Sequence, residues 1–542
     1  MSDLSSTAPQ SIHDSAICPR ADGTVRSSTS NVPAEADSWP DAPPYIASRA
    51  VAITRDIAIG ITRVVIGGYA EEGDCEPMWF AVVADVGALL PWQFRSNAGT
   101  RRWELRARGW VTPEMFGARR DAVTNDRQAI VDAATYLAAA GGGEVQFLSG
   151  TYYVTDSIAL ANMTGISLVA RVPRLTTIKI PQVAMPGGGL SSHIIVVTNC
   201  SHFSICGLTL IGNREISQAY TAFCGIYLIT CQHYKILNCA IMHIESIGIS
   251  INTVCDTGEV SGNHIFDCSS GIWFFKGNVN ADVVGNRIDK MQIHGILTDD
   301  ATSADVSPAT SRPNYNIRIV RNYITNFSIS GGSGAGIVMS GQLGGCISDN
   351  DIAVGGVEGV SAALGILLNS GQDTYNPTLG TEVGGNRIHD IYGGGGITLQ
   401  GANVCSVVGN TMWNLYLWPT ALAGAAINIL RDTPGTHTVA LQGTDYNIIG
   451  ANTIRGNGNT QVAVQLGPGV LFNVIHKQQC SGTTAGDLVV SPSAGQGQIS
   501  FQGYGPLPAW NAGWRGAQWL NTVDDKLYIA TNLAWIVVGT QA

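Results

Sequence analysis

Two adjacent carboxylates, Asp299-Asp300, end a run of alternating apolar residues and open a polar stretch that reaches to about Asn316. A pair of carboxyl groups can hydrolyse a glycosidic bond when one, protonated, donates to the leaving oxygen and the other, ionised, activates water or attacks. Neighbouring carboxylates resist double ionisation, which favours one of the two as the acid. Glu245 and Asp267 are the candidates for a third member. Around them stand side chains suited to holding a sugar. Trp273, Phe275 and Tyr227 offer flat apolar faces, and Asn252, Asn369, Lys276 and His294 offer hydrogen-bonding groups. Lys276 or His294 could instead abstract a proton beside a uronic acid, the step that a lyase requires. Plainer roles compete: Asp299-Asp300 as a solvated turn, and His294 as a structural histidine.

What positions these residues is a repeat. Between Cys206 and Ile475 an Asn followed two or three residues later by an aliphatic recurs at Asn238, Asn263, Asn286, Asn322, Asn350, Asn386, Asn410, Asn452 and Asn473, often with Gly just before it. A second series interleaves with the first: Gly225-Ile226, Gly248-Ile249, Gly271-Ile272, Gly295-Ile296, Gly336-Ile337, Gly365-Ile366 and Gly396-Ile397, with Ala426-Ile427 as a degenerate copy. Each opens a short stretch of period-two alternation, hence a strand. A unit of roughly 22–25 residues with strands, no helical periodicity and a fixed Asn or Gly turn predicts the coil of a parallel β-helix. Stacked coils would set the Asn side chains in a hydrogen-bonded ladder, and longer steps such as Asn286 to Asn322 must carry insertions.

In the Gly-Ile strands the second and fourth residues point inward, so the third and fifth face out. The third-place column reads Tyr227, Ser250, Trp273, Leu297, Val338, Leu367, Thr398, Asn428, and the fifth-place column Ile229, Asn252, Phe275, Asp299, Ser340, Asn369, Gln400, Leu430. Trp273, Phe275, Asn252 and Asp299 then share one patch with Lys276 and Asp300 at its margin. Asp267 lies one coil before Asp299 and Glu245 two. At about 4.8 Å per coil those steps suit the carboxyl separations of about 5–5.5 Å for retention and about 6.5–9.5 Å for inversion. Asp267 and Asp390 also sit four places after a repeat Asn, as do Asn326 and Asn414, which marks a turn position of the coil.

Composition narrows the ligand. Lys plus Arg total 30 against 40 acidic residues, a formal charge of -10, which argues against nucleic acid and favours a neutral polymer. No run has the length and apolarity to insert in a membrane, and Met1 to Gly23 lacks a signal-peptide core, which predicts a chain made in the cytoplasm and not exported by the standard secretory route. Twelve Cys are spread along the chain without a CxxC pair, and Cys206, Cys231, Cys239, Cys255, Cys268, Cys346 and Cys405 fall in apolar stretches, as buried hydrophobes do. No zinc spacing, P-loop, Ser-His-Asp order or dinucleotide fingerprint is present, so neither a metal nor a cofactor is expected.

Upstream, Asn125-Asp126-Arg127-Gln128 has the spacing of a capping box before an apolar stripe of Ile130, Val131, Ala134, Leu137 and Ala138, a helix that would plug the first coil. Phe116-Gly117-Ala118, Asp121, Thr124-Asn125-Asp126, Ala129-Ile130 and Gly150-Thr151-Tyr152 resemble the entry motif of pectate-lyase-like right-handed β-helices, familiar in bacteriophage tailspikes. The usual Gly-Asp-Gly after Phe-Gly-Ala reads Arg120-Asp121-Ala122 here. The expected architecture is all-β: a flexible arm over 1–45, a small β-rich module over 46–111, a single-stranded right-handed parallel β-helix over 112–480 with its N-terminal capping helix, and a C-terminal β domain over 481–542. In that domain Lys526 to Ala530 and Trp535 to Val538 read as strands, near Trp510, Trp514 and Trp519. The resemblance implies a homotrimer on a virion tail, attached through its N-terminal region, that binds and endo-cleaves a bacterial capsule, exopolysaccharide or O-antigen. A polysaccharide lyase, a non-catalytic adhesin and a stand-alone bacterial enzyme such as a fructan-acting transferase share the scaffold.

Overall fold

The computed structural model describes residues 43–180, 193–214, 223–300, 312–330, 333–370, 376–417, 425–431 and 444–456, with shorter stretches from there to residue 540. The solenoid begins at Trp110–Val111 and winds three parallel strands into each coil. One coil runs through Val279–Val284, Arg287–Met291 and Ile296–Asp299. These belong to three ladders, named here the flank, Asn and Gly-Ile sheets. In three coils the Asn and Gly-Ile strands fuse into one bent strand, Ala240–Asn252, His264–Phe275 and Arg387–Gln400.

The turn from flank to Asn strand is the most regular part of the chain, two or three residues in every coil from Cys206 to Gln479. Its first residue takes a positive φ, as at Gly262 (65°), Gly285 (63°), Gly385 (69°) and Gly409 (74°), which is why Gly precedes the repeat Asn so often. Arg321 and Asp349 occupy the same place at 56° and 57°. The second residue builds the ladder. Asn286 Oδ1 accepts from the Asn263 backbone N–H (3.0 Å) and from Asn263 Nδ2 (3.0 Å), while its own Nδ2 donates to the Val260 carbonyl (2.9 Å) and to Asn322 Oδ1 (2.9 Å). The pattern repeats through Asn322, Asn350, Asn386, Asn410 and Asn452 and ends on Gln478.

Two expected members are displaced. Asn238 holds the positive-φ place (54°), and Cys239 takes the ladder position below Asn263. Asn473 belongs to a separate ladder at the next corner, where it accepts from Asn447, much as Asn314 accepts from Asn278.

The Gly-Ile signature has a steric cause. A Cβ on Gly248 would lie 2.6 Å from Ile265 Cγ2 and 2.8 Å from the Gly271 carbonyl oxygen, and Gly225, Gly271, Gly295, Gly336 and Gly365 meet an isoleucine of the following coil in the same way. The aliphatic after each repeat Asn therefore fills the space that the glycine of the preceding coil leaves open. The inward residues form one continuous core, with Ile226, Ile249, Ile272, Ile296, Ile337, Ile366 and Ile397 all fully buried.

Up to residue 456 the long breaks in the described chain flank the Gly-Ile strands, although one turn from flank to Asn strand, 171–175, is also lengthened. The described chain breaks between Asp300 and Arg312, between Ser370 and Asn376 and between Arg431 and Thr444 on one edge. On the other it breaks between Ile180 and His193, between Arg214 and Phe223 and between Leu417 and Ala425.

The helix Arg127–Ala139 caps the first coil and buries Ile130, Ala134 and Leu137. It has no capping box: Asp126 accepts from the backbones of Arg119 (2.7 Å) and Arg120 (3.0 Å), and Gln128 turns forward to Asp132. A five-stranded sheet between Tyr45 and Leu105 precedes the solenoid, built around the buried Phe94 and Trp103. At the other end parallel pairing continues past Cys480, through Leu488–Val490, Ser500–Gly505 and Gln518–Asn521. The coil therefore outlasts its Asn signature, because backbone pairing needs no particular side chain. The chain ends in the antiparallel hairpin Lys526–Ala530 and Trp535–Thr540. The arm over 1–42 and the packing of the tryptophan-rich tail lie outside the described residues. Of the apolar cysteines, Cys206 departs from expectation: it is disulfide-bonded, whereas Cys231, Cys239, Cys255, Cys268, Cys346 and Cys405 carry free thiols.

Removing one ladder amide should cost far more than removing a surface charge. Asn350→Ala leaves the buried Asn322 N–H without its partner, at about 1–3 kcal/mol, and takes one donor from the Ile319 carbonyl. Arg318→Ala breaks an exposed pair with Asp282 (3.0 Å), worth less than about 1 kcal/mol, and a surface contact with Cys346. Guanidinium unfolding should rank them in that order, and equal midpoints would contradict the role given to the ladder.

Candidate functional site

The register of the Gly-Ile sheet holds over the patch. Tyr227 pairs with Ser250, Ser250 with Trp273, Trp273 with Leu297, Leu297 with Val338 and Val338 with Leu367, and the fifth-place column runs Ile229, Asn252, Phe275, Asp299. Tyr227, Asn252, Trp273, Phe275, Asp299 and Asn369 therefore share one outward face, between the two edges where the insertions leave the coil.

The aromatic part is ordered. Trp273 and Phe275 meet edge to face at 5.5 Å, and the buried Trp273 Nε1 has no hydrogen-bond partner among the described residues. Tyr227 accepts from Asn252 Nδ2 through its hydroxyl (2.9 Å) and stacks on His193 at 4.3 Å and 9°. Burial pushes the Tyr227 phenol up and brings the His193 imidazole down to about 4, so both are neutral at pH 7. Sequence reasoning missed His193, which precedes the repeat. It also missed the apolar role of Leu297 and Val338, which pack against Trp273, Leu364 and Leu367 outside the main core.

The carboxylates are more enclosed than expected. Asp299 ends its strand with 5% exposure, and its carbonyl accepts from the Lys276 N–H (2.8 Å) and Asn314 Nδ2 (2.8 Å). Asp300 is fully buried in the turn, accepts from Asn376 Nδ2 (3.0 Å), and lies where a Cβ on Gly341 would fall 2.5 Å from its Cγ. Its backbone N–H donates to Asp299 Oδ1 (2.9 Å), and with no exposed surface Asp300 adds no solvent-facing carboxyl to the patch. Lys276 stands at the margin as expected, in the turn that follows Phe275, with φ 61°.

Glu245 and Asp267 lie at the far end of their strands from Asp299. Glu245 stands seven positions before Asn252 and Asp267 eight before Phe275, across the bend that joins the Asn to the Gly-Ile part of each strand. Neither lies in the column of Asp299, and the coil spacing that brought them close applies only within one column. Asp267 is a turn residue with φ 55°, bonded to His243 (2.9 Å), Lys290 (3.2 Å) and Arg214 (3.4 Å). Burial acts to raise its pKa, but the hydrogen bonds from His243 and Lys290 and the charge of Arg214 outweigh it and hold the carboxyl below its ordinary range.

His294 lies at the edge opposite Asp299. Its Nδ1 accepts from the Ala335 N–H (3.1 Å), and burial brings its pKa down to about 4. That is a structural histidine and not a proton-abstracting base.

Residues 193–366 match the family model of a right handed beta helix region. The fold is thus a right-handed parallel β-helix, and the resemblance to tailspike-like members holds. A 52-residue stretch is 42% identical to "Depolymerase 1, capsule KN3-specific" of Klebsiella phage KN3-1, a match that spans 10% of this chain and 7% of that protein. Among solved structures, the A-module of the Azotobacter vinelandii mannuronan C-5 epimerase AlgE6 superposes with a TM-score of 0.55 at 18% identity, over 70% of this chain and 98% of that one. The Dettilon tailspike protein superposes with 0.53 at 18% identity, over 71% and 69%.

His294 makes a signed prediction. Its folded pKa, about 4, lies below the ordinary 6.5, so the unfolded chain binds the proton more readily and stability falls as pH drops from 6.5 toward 4. His193 acts with the same sign. Stability measured from pH 7.5 to 4 should therefore fall less steeply in His294→Gln than in the wild type, and parallel curves would refute the assignment.

Proposed function

We propose that this chain is a tailspike-type depolymerase that binds and endo-cleaves a bacterial surface polysaccharide lying across the Gly-Ile sheet. The observation that carries the reading is the single outward face holding Trp273, Phe275, Tyr227, Asn252, Asn369 and Asp299 between the edges that take the insertions. Aromatic faces receive the C–H side of a pyranose, and amides and a carboxylate receive its hydroxyls. The local similarity to a capsule-specific phage depolymerase supports the same substrate class. In this reading the protein is a homotrimer joined to a virion tail through its N-terminal region.

Asp299 is the carboxyl group at the reaction, with glycoside hydrolysis as the chemistry. Its column neighbours, Phe275 in the coil below and Ser340 in the coil above, are not carboxylates. That observation favours a second reading, binding without cleavage, in which the same face serves as an adhesin. A lyase would rely on Lys276, since His294 is committed to the Ala335 N–H.

One set of assays separates these readings. Incubation with a panel of capsular polysaccharides should release reducing ends without the ultraviolet absorption of unsaturated uronates. Asp299→Asn should lower the rate by at least about a hundredfold with binding retained, and Trp273→Ala should weaken binding. Full turnover in Asp299→Asn would remove Asp299 from the chemistry. Binding of a polysaccharide that yields no ends at all would select the adhesin, and ultraviolet-absorbing products would select the lyase.

A further inference from the structure

The Asn sheet carries a second organised surface, on a different side of the coil from the groove. His389 lies between two carboxylates, with Nε2 3.1 Å from Asp351 Oδ1 and Nδ1 2.7 Å from Asp390 Oδ2. Asp351 is also held by Arg387 (2.7 Å), and Asp390 accepts from Asn414 Nδ2 (3.0 Å). With both ring nitrogens bonded, the imidazole plane is fixed. Trp413 stacks on it at 4.2 Å and 8°. One indole face is thus covered, and the other turns toward the next coil, where the register puts Arg455 directly opposite Trp413. Between these two coils lies a depression of about 280 Å³ lined by Thr411, Trp413, Asn414, Arg455 and Gly456. Arg455 is exposed and makes no ion pair among the described residues.

We propose that this depression is a binding subsite for a carboxylated sugar, such as a uronic acid residue. The free face of Trp413 takes the apolar side of the pyranose. The Arg455 guanidinium, a planar fork of donors, takes the carboxylate in a bidentate pair. Asn414 commits its Nδ2 to Asp390, so its Oδ1 is oriented to accept from a sugar hydroxyl, and the Thr411 hydroxyl lies beside it. Asp351, His389 and Asp390 are positioning residues: they hold the ring on which Trp413 rests and the amide of Asn414. A neutral sugar would leave the guanidinium without a partner, so the site discriminates by charge although the chain as a whole is acidic. The inference is independent of the proposed groove, because it rests on other residues of another sheet.

The test uses the full chain and oligomers of galacturonate, glucuronate and mannuronate, with maltotetraose as the uncharged comparison, followed by saturation-transfer NMR and calorimetry. At least one uronate oligomer should bind more tightly than maltotetraose. Arg455→Ala should weaken that binding by about tenfold or more while Arg455→Lys retains part of it, and Trp413→Ala should weaken both charged and neutral oligomers. Arg318→Ala, on the flank sheet and in neither surface, should leave uronate binding unchanged. Circular dichroism checks that each variant is folded. The inference fails if no uronate oligomer outbinds maltotetraose, or if folded Arg455→Ala binds as the wild type does.

Discussion

The structure depends on one buried amide placed above another. Within the ladder from Asn286 to Asn410, each Oδ1 accepts twice and each Nδ2 donates at least twice, so a corner that would otherwise bury unpaired backbone groups has every partner supplied by the coil before or after it. An extra residue in that turn would break bonds to two coils at once. From Cys206 to Gln479 the corner therefore stays two or three residues long, while the long breaks in the described chain flank the Gly-Ile strands. The glycine-isoleucine clasp reinforces the register by letting each coil fit only one way on the next. A constraint on one corner thus decides where the variable surface is, and the aromatic and carboxylate side chains are found on the face between those variable edges.

The same rigidity explains the spacing available for chemistry. Side chains in one column repeat at the coil spacing, as Trp273 and Leu297 do, while residues at opposite ends of a strand are separated by its full length. A carbohydrate site on this scaffold is built along columns. Asp299 fits that rule, and Glu245 and Asp267 do not.

The repeat, the inward and outward alternation and the face bearing Trp273 were legible because period-two alternation and a fixed turn residue are local properties of the chain. Three things were not. Asn238 and Asn473 share the Asn-x-aliphatic pattern, but Asn238 takes the positive-φ place of the same corner and Asn473 lies at another corner, distinctions that the pattern does not record. Asp299 and Asp300 are both enclosed at the end of the strand, Asp300 completely and against Gly341, which outward alternation does not foresee. The His389 and Trp413 pair went unnoticed because outward columns were followed only from Gly-Ile and not from Asn. The same count along Arg387-Ile388-His389 and Thr411-Met412-Trp413 finds it.

Amide hydrogen exchange, with and without a cleavage-resistant oligosaccharide of the cognate polymer, tests the central claim most directly. The account predicts that the backbone N–H groups of Asn263, Asn286, Asn322, Asn350 and Asn386 exchange among the slowest in the chain whether or not ligand is present. It also predicts that ligand slows exchange along Cys224–Ile229, Ile296–Asp299 and the second halves of Ala240–Asn252 and His264–Phe275. Ladder amides that exchange as fast as those of other turns, or ligand protection confined to the flank sheet, would contradict it.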